Sequence, residues 1–156
     1  MTKIKKIFIL LTLFSFFSSC GYTPIFSKKD VNFSIENVKS LGSKDVNGKI
    51  NQVLSNYKNK PGKAKQISLV ITNSKNITIA SKNSKGETQT YRISVDVNVK
   101  IILAENSIVE KNFSKSSIYD VIDRKSEQKL IENKLIENLS DEIAQQIILE
   151  ILKNTK

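Results

Sequence analysis

Histidine and tryptophan are absent from this 156-residue sequence, and cysteine occurs once, at Cys20. Each absence removes a class of chemistry. Structural zinc sites need several Cys or His ligands, and Cys–His pairs and Ser-His-Asp triads need an imidazole, so none of these can be built. A disulfide within the chain is impossible with one thiol. Carboxylate pairs remain available, but most acids fall in helical or strand patterns that a solvated face accounts for, and no catalysis or metal site is expected. Acids are also the minority: 25 Lys and Arg stand against 15 Asp and Glu, a net charge of +10. Lys3, Lys5 and Lys6 precede Cys20 and no acid does, which leaves 22 basic residues against 15 acids, a net +7, from Cys20 onward. That excess favours phosphates, anionic lipid or nucleic acid as partners. The same lysines accompany abundant Asn and Ile, a composition that an AT-rich genome gives without selection for binding. A hydrophobic content of 39% suits a folded body, and the length allows one domain with a leader.

Residues 1–19 carry a basic start, an apolar run over residues 7–17 and two small residues, Ser18 and Ser19. This is the tripartite pattern of a secretory signal peptide, and the run is too short to cross a bilayer as a helix, which takes about 20 apolar residues. The small residues stop immediately before Cys20, the layout of a lipoprotein cleavage site, with Phe17 where leucine is usual. The expectation is a diacylglycerol thioether on Cys20 and an N-acyl chain on its freed amino group. Two or more acyl chains anchor a protein stably at about 0.8 kcal/mol per buried CH₂. Gly21 follows the cysteine rather than the aspartate that retains lipoproteins in the inner membrane, so the expected location is the periplasmic face of the outer membrane. Residues 20–30 then read as a lipidated tether, and 31–156 as a single domain.

Within that domain residues 31–38 alternate apolar and polar through Ile35 and slip by one at Val38, predicting a half-buried first strand. Asp45 is placed to cap a helix whose stripe is Ile50, Val53, Leu54 and Tyr57, ended by Pro61-Gly62. Three strands follow. Ile67, Leu69 and Ile71 alternate, and the pattern resumes at Ile77 and Ile79; residues 81–86 are a turn by composition. Tyr91, Ile93, Val95, Val97, Val99, Ile101 and Leu103 then face one way while Thr90, Arg92, Ser94, Asp96, Asn98 and Lys100 face the other. A strict period of two means a sheet covered on one side. At about 3.3 Å per residue this strand spans on the order of 45 Å, long enough to predict a bulge or bend. Glu105-Asn106 makes a tight turn, and residues 108–118 a fourth strand. From Asp123 to Leu152 neither proline nor glycine occurs, and Ile131, Leu135, Leu139, Ile143, Ile147 and Ile151 lie four apart, widened by Ile136, Ala144 and Ile148. The predicted architecture is α/β (α+β): β-α-β-β-β-α, a two-layer sandwich in which two helices cover one face of a four-stranded, mostly antiparallel sheet.

Cys20-Gly-Tyr-Thr-Pro-Ile-Phe26 resembles the opening of mature LptE-like LPS-assembly outer-membrane lipoproteins, the alphaproteobacterial ones above all, and Asn138-Leu-Ser-Asp-Glu-Ile-Ala-Gln-Gln-Ile147 is similar to that family's last helix. The resemblance implies a non-catalytic subunit of the lipopolysaccharide translocon. It would plug and help assemble a large outer-membrane β-barrel of the LptD type and assist lipopolysaccharide to the cell surface. It also implies that basic residues meet the phosphates and acidic sugars of the ligand. Lys82 and Lys85 in the hairpin turn and Arg92 on the wet face of the long strand form one candidate group. Lys115, Arg124 and Lys125, around the start of the last helix, form a second. An adaptor or pilot lipoprotein of another envelope complex is the alternative. Nucleic acid is not an expected partner, since the leader exports the chain and no recognised binding motif is visible. Replacement of Cys20 by serine is expected to abolish acylation and release the protein from the membrane fraction. Mass spectrometry and membrane fractionation check this, and an undiminished membrane-bound pool would refute the anchor.

Overall fold

The computed structural model describes residues 31–62, 65–103 and 107–155. The leader, Cys20, the tether 20–30 and the Glu105-Asn106 turn lie outside the described residues. Six elements follow in order: β1 (Phe33–Leu41), α1 (Lys44–Ser55), β2 (Lys65–Lys82), β3 (Thr88–Ile102), β4 (Ile108–Asp120) and α2 (Lys125–Asn154). The strands form one sheet in the order β1-β2-β3-β4. β1 and β2 are parallel, joined by the α1 crossover, and the other two pairs are antiparallel. The α+β order expected from the sequence is the one observed.

The core lies between the sheet's covered face and the two helices. Ile93, Val95, Val97, Val99 and Ile101 of β3 are buried, beside Ile67, Leu69 and Ile71 of β2 and Phe33 and Ile35 of β1. Onto them α1 lays Val46, Ile50 and Leu54, and α2 lays Ile136, Leu139, Ile143, Ala144, Ile147, Ile148 and Ile151. Burying each of the larger aliphatic side chains contributes about 1.5–3 kcal/mol. The one-residue slip at Val38 is a β-bulge: pairing with β2 shifts between Ile35 and Asn37, leaving Glu36 unpaired and returning Val38 to the core side. Residues Val31–Lys156 make one compact unit around this core.

Three expectations change in detail. The cap position of α1 belongs to Ser43, not Asp45, and no side chain of its own closes it. Asn73 of β2 does that work from across the sheet. Its Oδ1 accepts the Ser43 N–H at 2.9 Å, and its Nδ2 donates to the Leu41 carbonyl at 3.1 Å and to Asn47 Oδ1 at 2.6 Å. Asp45 sits in the first turn, where a carboxylate complements the helix dipole, and is held by Lys75. Burial pushes the Asp45 carboxyl up, but the Lys75 ammonium and the Val46 N–H outweigh it and hold it below the usual carboxylate range. Second, α1 ends at Ser55 rather than at Pro61-Gly62. Tyr57 leaves the helix to stack on Phe33 with ring centroids 5.6 Å apart, and the returning chain is fixed by Ile35 N–H to Tyr57 O and Asn59 N–H to Ile35 O. Third, the irregularity expected in the long strand falls only at its hairpin end. Ala80 of β2 and Gln89 of β3 drop out of register, while β3 pairs with β4 without a break from Thr90 to Ile102.

Charges also reach the covered side of the sheet. Lys111 and Lys115 of β4 pair with Glu150 (3.7 Å) and Glu142 (3.1 Å) of α2, and Lys49 of α1 with Asp141 of α2 (3.6 Å). Each such half-exposed pair is worth about 0–1 kcal/mol, but inward lysines also keep the open β4 edge from recruiting other strands.

The β1–α1 corner allows no side chain at position 42. Gly42 has φ +108°, and a Cβ there would lie 2.0 Å from the Asn73 carbonyl oxygen. Gly42→Ala is expected to cost about 3 kcal/mol or more, and Asn73→Ala about 2–3 kcal/mol through unmet backbone groups. Urea midpoints measure both. A midpoint for either variant within error of the unmodified protein would show that this corner does not hold α1.

Candidate functional site

The hairpin end of the sheet gathers the features that can bind a ligand. Asn83 through Gly86 form a tight turn in which Gly86 N–H donates to the Asn83 carbonyl (3.0 Å) and Gly86 takes φ +83°. The Asn83 side chain organises it: Oδ1 accepts the N–H groups of Lys85 and Glu87, both at 2.9 Å, and Nδ2 donates to Glu87 at 2.7 Å. Lys85 is thereby presented on an ordered turn, next to Lys82 at the last position of β2.

Register brings the second half of the site to the same place. Tyr91 lies opposite both Ile79 and Tyr119, and Arg92 opposite Ile118. The Val121 N–H donates to the Gln89 carbonyl at 2.9 Å, so the short loop into α2 is pinned beside the hairpin. Arg124 caps α2 and lies 3.9 Å from Glu127, and Lys125 opens the helix; both are exposed. Beneath them Tyr91 and Tyr119 stack with centroids 5.8 Å apart, and Tyr119 Oη donates to Glu132 at 2.6 Å. Burial and then Glu132 push the Tyr119 phenol up, so it stays a neutral donor that ties β4 to α2.

Five of the six candidate cations therefore lie toward one end of the body: Lys82 and Lys85 in the hairpin, Arg92 on the sheet's uncovered face, and Arg124 and Lys125 where α2 starts on the covered side. Lys115 does not. Opposite Val95, it projects on the helix-covered side and is engaged by Glu142. Sequence reading grouped it with Arg124 and Lys125 by proximity along the chain; the antiparallel register separates them.

The exposure of apolar side chains at this end escaped the sequence reading. Ile77 (44% exposed), Ile79 (51%), Ile118 (53%) and Leu130 (67%) are among the exposed large hydrophobics, with Val121 beside them. Ile77 and Ile79 continue the apolar face of β2 past Asn73, where α1 no longer covers it. Ile118 lies on the wet face beside Arg92, since Tyr119 takes the covered position. Counting β4 in twos back from Tyr119 was the signal available. With Lys129 added, six cations share this end with five carboxylates, Glu87, Asp120, Asp123, Glu127 and Glu132. Behind it the middle of the sheet's uncovered face is polar: Ser114 Oγ donates to Asp96 at 2.6 Å, and Asn98 Nδ2 donates to Asn112 at 2.7 Å and Glu110 at 2.9 Å. Among the described residues no helix is long and apolar enough to cross a membrane.

Residues 31–151 match the sequence profile of LptE, lipopolysaccharide-assembly, which covers nearly the whole described body. The chain belongs to the LptE family. Membership makes it a lipopolysaccharide-assembly lipoprotein of the cell envelope at family level. Solved structures share the LptE fold at low identity. Rare lipoprotein B from Shewanella oneidensis superposes with a TM-score of 0.55 at 15% identity, covering 78% of this chain and 100% of that one. Lipoprotein B from Nitrosomonas europaea gives 0.58 at 16%, covering 83% and 90%. A minor lipoprotein from Acinetobacter baumannii gives 0.56 at 14%, covering 80% and 97%. Among curated proteins none matches. The α+β architecture and, over residues 31–151, the family resemblance are both upheld by these findings.

Proposed function

We propose that this LptE-family chain is anchored through acyl chains on Cys20 to the periplasmic face of the outer membrane. There it acts by binding, without catalysing a reaction, as the lipoprotein subunit of an LptD-type barrel. It plugs and helps assemble that barrel and receives lipopolysaccharide at its hairpin end. The observation that carries the reading is the placement of Lys82, Lys85, Arg92, Arg124 and Lys125 at the same end of the body as exposed Ile77, Ile79, Ile118 and Leu130. Lipopolysaccharide is amphiphilic in the same sense, with phosphates and acidic sugars beside acyl chains. Charge-assisted hydrogen bonds from Lys and Arg suit the first, and apolar side chains outside a core suit the second. The polar back of the sheet fits the other half of the proposal, because porin-like lumens are lined by polar residues.

Lys82 and Lys85 are exposed and make no ion pair with a described carboxylate, so reversing them leaves the fold intact. A Lys82→Glu, Lys85→Glu variant is expected to lose lipopolysaccharide affinity by tenfold or more at low salt, about 1.4 kcal/mol. Lys115→Glu, on the covered side, is expected to bind as the unmodified protein does. Unchanged affinity in the double variant removes the tip from the binding site.

A further inference from the structure

β2 outruns its neighbour. Pairing with β1 stops at Leu41 opposite Thr72, and along residues 74–82 no described strand lies on the outer edge of β2. Seven successive residues, 74–80, are exposed, so this half-strand is open on both faces as well as along its edge. Within it Asn76-Ile-Thr-Ile-Ala80 holds no charge and no proline, and three of its five residues are β-branched. The opposite edge differs, since β4 carries Lys111 and Lys115 pointing to the covered side and Glu110 on the other. An extended edge with unpaired N–H and C=O groups, uncharged over the five residues between Lys75 and Ser81, is a template for another strand, and proteins normally block such an edge unless something occupies it.

Charge decides which occupant fits. Lys75 is already engaged by Asp45, but Lys82 and Lys85 at the downstream end of the edge have no described carboxylate partner. A second copy would bring another body of the same positive sign, whereas a chain bearing acids is attracted. We infer that the outer edge of residues 74–82 is a strand-addition site for an extended segment of another protein. Main-chain hydrogen bonds hold that segment in register. Its alternate apolar residues rest on Ile77 and Ile79, and acidic residues at one end meet Lys82 and Lys85. The bulge at Ala80 bends the edge there, which limits the flat pairing stretch to the residues before it.

Residues 31–156 form a unit with its own core, so the site can be tested without the lipid. The probes are fluorescent peptides of about nine residues, alternating valine and threonine, the length of edge such a strand would cover. One ends in two glutamates, one in two lysines, and one is the glutamate peptide with a central proline. Anisotropy titrations are expected to show the glutamate peptide binding at least tenfold tighter than the lysine peptide. The proline peptide loses binding because its ring removes a ladder donor. Ile79→Ser, at a half-exposed position, is expected to weaken the glutamate peptide by tenfold or more with an unchanged circular dichroism spectrum. Equal binding by the proline peptide, equal binding by the lysine peptide, no binding at all, or self-association of the protein in place of peptide binding would each overturn the proposal.

Discussion

A sheet with one apolar face has to be covered along its length, and the two helices that cover this one have unequal reach. At about 1.5 Å per residue the 30 residues of α2 extend about 45 Å. The 15 residues of β3 extend about 50 Å, so the helix accompanies that strand almost from end to end. Alternate residues from Ile93 to Ile101 are accordingly all buried. α1 has 12 residues, about 18 Å, against the 18 residues of β2, about 59 Å. Cover on that side stops at Asn73. The exposure of Ile77 and Ile79 follows from this mismatch: they keep the period of the core but have no helix above them.

Asn73 marks the boundary and fixes it. Its side chain holds the Leu41–Ser43 corner and Asn47, which sets where α1 begins over the sheet. Lys75, two residues on, reaches back to Asp45 in the first turn of α1. Upstream of this pair β2 is a core strand between two neighbours, and downstream it is an open arm. The same polypeptide segment thus packs in the core along one half and lies open along the other.

Patterns local to one element were legible in the sequence. The alternation of β3, the bulge signalled by Val38 and the stripe of α2 each depend on spacing alone, and all three appear as read. What depended on a partner element was not legible. The capping of α1 comes from Asn73, which is 30 residues away from Ser43. The end of α1 is set by Tyr57 stacking on Phe33, not by the proline that follows. Lys115 looked like a neighbour of Arg124, yet strand register assigns it to the covered side and to Glu142. Hydrophobic period likewise reports which side of a strand a residue takes, but not whether anything lies above it. Ile77 and Ile79 therefore resume the strand pattern in the sequence and emerge as surface in the fold. The opening motif at Cys20, outside the described residues, led to the family that the match over residues 31–151 then established.

The central claim is that ligand meets this LptE-family body at the uncovered hairpin end. Backbone amide NMR on residues 31–156, titrated with lipopolysaccharide in dilute detergent, tests it most directly. The account predicts that shift changes concentrate in residues 77–92 and 118–130, with the β1–α1 corner and the last turns of α2 unaffected. Changes centred on α1, on the β4 edge near Ile108, or spread evenly over the chain would contradict it.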